Sequence, residues 1–281
     1  MRTPDVPQSP FTFPTIVTTL RAAGCVFAED EARLLIAEAA HAAELARMVE
    51  RRAAGSPLEH VLGWVDFCDR RIDVDAGVFV PRRRSELLVR QGAALARPGA
   101  VVVDLCCGSG ALGVVLSGQV AAVELHAADI DPAAVRCARR NIEPIGGQVH
   151  EGDLFDALPP SLRGRIDVLV ANVPYVPSHA IALMPPEARE HEPRGALDGG
   201  ADGLDFQRAV AAESRRWLRR GGHVLMETGA RQASASVDIL TQAGLLARTV
   251  HSDDLDATVV VGTSVGTVRG PTCANGHADV M

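Results

Sequence analysis

The chain has 281 residues, a formal net charge of −7 and 47% hydrophobic residues, which fits one large and one small folded domain without membrane spans. The acidic balance argues against a protein that holds nucleic acid by its phosphates, because such proteins usually present a basic face. The six cysteines lack metal-binding spacing and the N-terminus lacks signal-peptide features, so we expect a cytoplasmic protein with reduced thiols and no metal.

The first part of the chain has a helical pattern. Residues 1–10 contain three prolines and are predicted to form a loose arm. From Phe11 to Gly55 the pattern predicts a small bundle of two or three helices, and Pro57 ends it. The residues that recur at alternating spacings of four and three, as one face of a helix would, are Leu35, Ala39, Ala42, Ala46 and Val49.

Between this bundle and the rest of the chain, Trp64 to Val80 alternates loosely. The pattern predicts a strand hairpin that turns at Ala76-Gly77, followed by a helix from Ser85 to Ala96. We therefore predict an N-terminal recognition domain over 1–80 with the hairpin as linker. A catalytic domain over 81–263 and a flexible tail over 264–281 follow it.

The remainder alternates apolar strands with helical segments. This alternation predicts a parallel sheet with helices on both of its faces. The predicted strands are Val101–Leu105, Val123–Asp129, Gln148–Asp153, Ile166–Ala171, Gly222–Glu227, Leu246–His251 and Thr258–Gly262.

A glycine turn follows the first of these strands, in the run Asp104-Leu105-Cys106-Cys107-Gly108-Ser109-Gly110. Asp129 stands 19 residues after the turn, a spacing at which an acid commonly accepts hydrogen bonds from ribose hydroxyls. The alternative is a tight turn with a helix N-cap. If the ligand is a nucleoside, Gly108, Gly110 and Gly113 also fit the spacing for NAD. Asp104 favours S-adenosylmethionine, because its carboxylate can face the cofactor's amino group but would repel a pyrophosphate.

A second motif, Asn172-Val173-Pro174-Tyr175, follows the fourth strand, where open parallel sheets place their sites. An amide NH2 is a poor nucleophile that must be oriented by acceptors, and the Asn172 side chain and the Val173 carbonyl supply two of them. Tyr175, the single tyrosine, can flank a planar amide. The alternative is a proline-containing turn. Asp153, after the third strand, can reach an adenine amino group or cap a helix.

Taken together, these motifs resemble the HemK/PrmC-like family of protein-glutamine N5-methyltransferases, over roughly residues 30–262. The resemblance also includes Phe79-Val80-Pro81-Arg82 with Glu86, the pair Glu192-Pro193, and Glu227-Thr228-Gly229. It implies an α/β fold, namely a seven-stranded Rossmann-like S-adenosylmethionine-dependent methyltransferase sheet behind a small helical N-terminal domain. The implied substrate is a glutamine in the Gly-Gly-Gln loop of a peptide chain release factor, or one in a ribosomal protein.

The resemblance also implies the site residues. For catalysis these are Asn172, Val173, Pro174 and Tyr175, and for substrate binding Glu192, Pro193 and Tyr175. For S-adenosyl-L-methionine they are Arg82, Asp104, Cys106, Gly108, Gly110, Asp129, Ile130, Asp153, Leu154 and Asn172.

The chain departs from the family pattern at three places. Val173 replaces the first proline of Asn-Pro-Pro-Tyr, Cys106 replaces a glycine, and Arg83-Arg84-Ser85-Glu86 stands where Pro-Glu-Thr-Glu is usual. These changes indicate a side branch of the family, in which the substrate can differ from the family's usual one. A small-molecule N-methyltransferase, a nucleic-acid adenine methyltransferase and an inactive binding protein remain as alternatives, the second disfavoured by the acidic charge.

Overall fold

The computed structural model describes residues 11–265. The arm predicted for residues 1–10 and all but the first two residues of the tail predicted for 264–281 lie outside this range. The described chain begins with four helices that pack around a small core of their own, which includes Ile16, Leu20, Leu35, Val49 and Val61. The helices are α1 (Phe13–Ala22), α2 (Ala28–Glu38), α3 (Ala42–Ala53) and α4 (Leu58–Leu62).

The helix face predicted from Leu35 to Val49 is divided between two helices. The backbone of Ala39 is extended, and α3 begins after His41, whose side chain accepts the backbone N–H of Glu44 at 3.1 Å. Such a cap satisfies an N–H group that has no partner inside the helix. The prediction of one continuous face was wrong because the cap, which the apolar spacing ignores, starts a new helix.

The predicted hairpin is present, but its turn lies elsewhere. Strands β1 (Trp64–Asp66) and β2 (Arg71–Asp73) pair antiparallel. The turn between them has Cys68 and Asp69 at φ of 53° and 58°, the backbone region that two-residue hairpin turns require. A turn is present at Ala76-Gly77, where the N–H of Val78 donates to the carbonyl of Asp75 at 3.1 Å, but it follows the hairpin, so the predicted position of the hairpin's turn was wrong. Apolar residues of the hairpin pack into the sheet's core, and the boundary near residue 80 stays a prediction.

The rest of the described chain forms a seven-stranded sheet with flanking helices. The strands are β3 (Val101–Leu105), β4 (Glu124–Asp129), β5 (Gln148–Glu151), β6 (Ile166–Ala171), β7 (Leu218–Thr228), β8 (Leu245–Ser252) and β9 (Ala257–Ser264). The helices are α5 (Glu86–Leu95), α6 (Ala111–Gln119), α7 (Pro132–Ile142), α8 (Pro186–His191), α9 (Asp205–Trp217) and α10 (Ala233–Gln242).

The strand order is β5-β4-β3-β6-β7-β9-β8, and the first five strands run parallel. The last two pairings, β7 with β9 and β8 with β9, are antiparallel. The prediction of a parallel sheet was therefore wrong for β9, because β8 and β9 follow one another through a short turn. The predicted seven-stranded Rossmann-like fold is confirmed.

Two layers of helices cover the sheet. Helices α5, α6 and α7 pack on one face, and α9 and α10 on the other. Strands β3 and β6 are buried along their whole length, as expected for central strands covered on both faces. Within residues 11–265 no helix is long and apolar enough to cross a membrane. The chain crosses from β5 back to β6 on the far side of β3, so a switch in strand order lies at the carboxyl ends of these strands.

Candidate active site

A cavity of about 530 Å³ opens at the carboxyl ends of β3, β4 and β6. Its volume lies in the range of small-molecule and cofactor sites. We call it the first cavity. Of the residues predicted for the cofactor site, the structure brings seven to its wall: Cys106, Gly108, Asp129, Ile130, Asp153, Leu154 and Asn172.

Asp129 ends β4 on the wall of this cavity. Its carboxylate accepts the backbone N–H of Gly108 at 2.8 Å and that of Asp131 at 3.0 Å, which fixes it against the glycine turn. Burial raises the pKa of Asp129 above its ordinary value, and these backbone N–H groups oppose the rise. A carboxylate held in this way keeps free lone pairs for hydroxyl donors of a ligand.

Asp104 lies beneath the glycine turn instead of on the cavity wall. Its Oδ2 accepts the backbone N–H of Gly113 at 2.8 Å, and its side chain is fully buried. Burial raises the pKa of Asp104 to about 8, so near neutral pH the group is largely uncharged. This geometry does not support the predicted contact between Asp104 and a cofactor amino group. The group instead holds the first turn of α6.

Gly110 also lies behind the wall. Its φ is 79°, and a Cβ atom there would stand 2.6 Å from Ile142 Cδ1, so packing against α7 requires a glycine. Cys106 shows the opposite situation, because it adopts a φ of 57° although it carries a side chain. A left-handed conformation is costly for such a residue, which explains why glycine is usual at this position.

A second cavity of about 550 Å³ adjoins the first. Asn172, Phe79 and Ala196 line both cavities. The second cavity is also lined by Val173, Tyr175 and Glu192, three of the residues predicted for catalysis or substrate binding. Asn172 therefore stands where the two cavities meet.

Two residues predicted for the site line a cavity other than the one that their predicted role suggests. Arg82, predicted for the cofactor, lines the second cavity and forms an ion pair with the buried Glu192. Burial raises the pKa of Glu192, and Arg82 opposes this rise. Pro193, predicted for substrate, and Pro174 line the first cavity.

Asn172 is part of a buried group of polar side chains, of which the site prediction included Tyr175 but not Ser85 or Glu227. Ser85 Oγ donates to Glu227 Oε2 at 2.6 Å, and Tyr175 Oη donates to Glu227 Oε1 at 2.7 Å. Asn172 Nδ2 donates to Ser85 Oγ at 3.2 Å. The available signal was Glu227 itself, a carboxylate that follows the apolar run Val224-Leu225-Met226 at the end of a central strand. Residues 11–265 contain no group of three or more His, Cys, Asp or Glu side chains suited to a metal ion.

Comparison with known proteins identifies the family. The family model of the methyltransferase small domain matches residues 67–185. A release factor glutamine methyltransferase from Geobacter sulfurreducens is 35% identical over 221 residues, which are 78% of this chain and 77% of that protein. The chain belongs to the release factor glutamine methyltransferase family. As a member, it is a methyltransferase of the kind that uses S-adenosylmethionine.

Two further similarities bear on the fold and on the range of substrates. A 4-amino-L-phenylalanine/4-methylamino-L-phenylalanine methyltransferase from Streptomyces pristinaespiralis is 38% identical over 202 residues, which are 69% of this chain and 68% of that protein. The crystal structure of a methyltransferase from Pyrococcus furiosus superposes with a TM-score of 0.51 at 15% identity, over 69% of this chain and 89% of that one. The structural likeness supports the fold alone.

Proposed function

We propose that this protein transfers a methyl group from S-adenosylmethionine to the side-chain nitrogen of a glutamine in a protein, with the Gly-Gly-Gln loop of a peptide chain release factor as the substrate. The observation that carries the proposal is the position of Asn172 on the border between two cavities of similar size. Such a border suits a reaction in which a group passes from a cofactor in one cavity to an acceptor in the other.

The walls of the first cavity fit the cofactor. Asp129 offers a carboxylate held by two backbone N–H groups to ribose hydroxyls, and Asp153 offers a second carboxylate to an adenine amino group. Ile130 lines the cavity although 65% of it is exposed, so an adenine ring would cover apolar surface there. When bound, S-adenosylmethionine supplies a methyl group activated by its sulfonium charge.

On the substrate side, Asn172 and the backbone carbonyl of Val173 orient the amide. Each accepts one N–H of the glutamine NH2 and turns the nitrogen toward the first cavity. The bond from nitrogen to the methyl carbon forms as the bond from that carbon to sulfur breaks, and the nitrogen then releases one proton. Because the gain comes mainly from orientation, the reaction needs no titrating side chain to begin.

The test is methylation of a purified bacterial release factor by the purified protein with S-adenosylmethionine, read by peptide mass spectrometry. We expect one added methyl group on the glutamine of the Gly-Gly-Gln loop. Asn172→Ala should retain cofactor binding and lower the single-turnover rate by about 100-fold or more, because it removes an orienting acceptor. Ser214→Ala, which removes a buried serine on α9, serves as control. An unmodified release factor would refute the proposed substrate.

A second candidate is the amino group of a small aromatic amino acid. The relative from Streptomyces pristinaespiralis favours it, as does Arg84, which lines the second cavity where the family usually has a glutamate. A guanidinium there can pair with the carboxylate of a free amino acid. The same assay with 4-amino-L-phenylalanine separates the two candidates, since methylation of this compound and not of the release factor would favour the second.

A further inference from the structure

The group behind Asn172 contains one carboxylate, two hydroxyls and one amide. We infer that Glu227 and Ser85 are positioning residues that fix the Asn172 amide with its oxygen toward the substrate and make this wall of the site present hydrogen-bond acceptors. The orientation of the amide follows from the hydrogen bonds of the chain alone. The consequence for substrate choice rests on the proposed function: the site selects a substrate with a planar NH2 group.

Glu227 accepts hydrogen bonds from both hydroxyls of this group. Its side chain is 2% exposed and lies 3.7 Å from the guanidinium of Arg84, so it is a paired carboxylate. A carboxylate accepts hydrogen bonds and donates none. Both hydroxyls that contact it must therefore point their single hydrogen at it, Ser85 toward Oε2 and Tyr175 toward Oε1.

Ser85 is buried, with 1% of its surface exposed. Its one hydrogen is committed to Glu227, so its oxygen can act only as an acceptor toward Asn172. The atom of Asn172 beside it, at 3.2 Å, must therefore be the NH2 nitrogen. The two ends of an amide are otherwise hard to tell apart, and here the count of hydrogens distinguishes them.

The orientation of the Asn172 amide determines which hydrogen-bonding groups face the substrate. With its nitrogen held by Ser85, Asn172 has its Oδ1 free to accept an N–H of the substrate. Tyr175, whose hydrogen is given to Glu227, keeps only lone pairs for a further partner in the second cavity. A substrate group with two N–H donors satisfies these acceptors, whereas a hydroxyl, with one hydrogen, leaves one of them unsatisfied.

The hydrogen bonding of the Asn172 amide can be measured by NMR without substrate. The spectrum is simple to assign because the chain has three asparagines, Asn141, Asn172 and Asn275. Protein labelled with 15N in its asparagine side chains gives one NH2 signal pair per residue, and Asn172→Ala identifies the pair of interest. We expect Ser85→Ala to speed exchange of the Asn172 NH2 hydrogens with solvent by about fivefold to tenfold. Asn141, whose Nδ2 donates to Asp73 and Ser109 carbonyls, is an internal reference.

Three variants complete the test. In Ser85→Thr, which introduces the usual family residue, slow exchange should be restored relative to Ser85→Ala. In Glu227→Gln the new amide donates to a hydroxyl, which frees Ser85 to donate to Asn172 and turns its NH2 into the cavity. We expect kcat for methylation of a release factor to fall by about 10- to 100-fold in Glu227→Gln, with the cofactor Kd unchanged. Ser214→Ala, another buried serine, should leave the Asn172 signals in place.

The single tyrosine gives a second readout. Burial and then the charge of Glu227 raise the pKa of Tyr175, so Glu227→Gln should lower the pKa seen in the absorbance of tyrosinate. Equal NH2 exchange rates in the wild type, Ser85→Ala and Glu227→Gln would overturn the inference. A wild type that leaves the release factor unmodified would overturn the proposed substrate alone, since the NMR and absorbance readouts need no substrate.

Discussion

Asp104 is the fourth residue of β3 and is fully buried beneath the glycine turn. Along β3, Val101, Val103 and Leu105 face one layer of helices and Val102 faces the other, so alternation turns Asp104 toward α6. There it accepts the backbone N–H of Gly113, while its Oδ1 has no hydrogen-bond partner among residues 11–265. The sequence shows an acid before a glycine turn, but the side of the sheet decides what the acid contacts.

This burial gives Asp104 a measurable effect on stability. Its pKa in the folded protein is about 8, raised by burial above the value near 4 that it has when unfolded. The stability due to the protonated form is fully present below pH ~4 and is lost as the pH rises toward 8. The side chain of Asp104→Asn cannot ionise. We therefore expect the free energy of unfolding of this variant to rise relative to that of the wild type as the pH increases from roughly 5 to 8, the interval in which Asp104 titrates.

Urea unfolding of both proteins at several pH values measures the difference in the free energy of unfolding. Groups common to both proteins cancel in this comparison. A difference that stays constant with pH would show that Asp104 does not titrate in this interval.

Helices α2, α3 and α8 meet at one ion-pair network. Arg52 on α3 donates to Glu31 at 2.6 Å and to Glu187 at 2.6 Å. The side chains of Arg52 and Glu31 are 8% and 10% exposed, whereas that of Glu187 is 49% exposed. The network ties the N-terminal bundle to a helix that contributes to the wall of the second cavity.

We expect the two sides of this network to differ in cost. Arg52→Met leaves Glu31 buried without its cation and should lower the free energy of unfolding by about 3 kcal/mol or more. Glu187→Gln breaks an ion pair that water reaches and should cost under about 1 kcal/mol. Equilibrium denaturation of the two variants gives both free energies, and equal costs would contradict the expectation that the buried pair of Arg52 with Glu31 contributes more than the exposed one with Glu187.

Elements with strong periodicity were predicted well from the sequence, and those set by caps and turns were not. Strand β6 was predicted with both of its bounds, because a run that is apolar except for Asp167 marks a central parallel strand. The break between α2 and α3 and the turn at Cys68-Asp69 depend on single residues. Asp129 ends a strand and Asn172 follows one, so the sequence places both at the edge where the first cavity opens, whereas Ser85 contacts Asn172 only through the fold, 87 residues away in sequence.

The two cavities are lined by different parts of the chain. The lining residues of the first cavity fall between Val78 and Phe206, whereas Pro57 and Glu59, just after the bundle's third helix, help to line the second. Deleting residues 1–55 removes most of the bundle's separate core and Arg52 with it. We expect the truncated protein to bind S-adenosylmethionine with nearly unchanged affinity and to lose methylation of a protein substrate.

Calorimetry with S-adenosylmethionine and the mass-spectrometric assay measure the two effects. Glu187→Gln is the matched control, since it removes the charge that pairs with Arg52 but keeps the bundle. Full methylation by the truncated protein would show that the bundle does not recognise the substrate, and loss of cofactor binding would show that the two parts are not independent.

The place of β9 in the sheet governs when the protein can fold during synthesis. Strand β9 lies between β7 and β8, so β7 and β8 both lack a neighbour until residues 257–264 are made. At about 5–20 residues per second, the helical bundle emerges from the ribosome many seconds earlier and has local contacts with which to fold. The open edges of β7 and β8 are then the part of the nascent chain most in need of a chaperone.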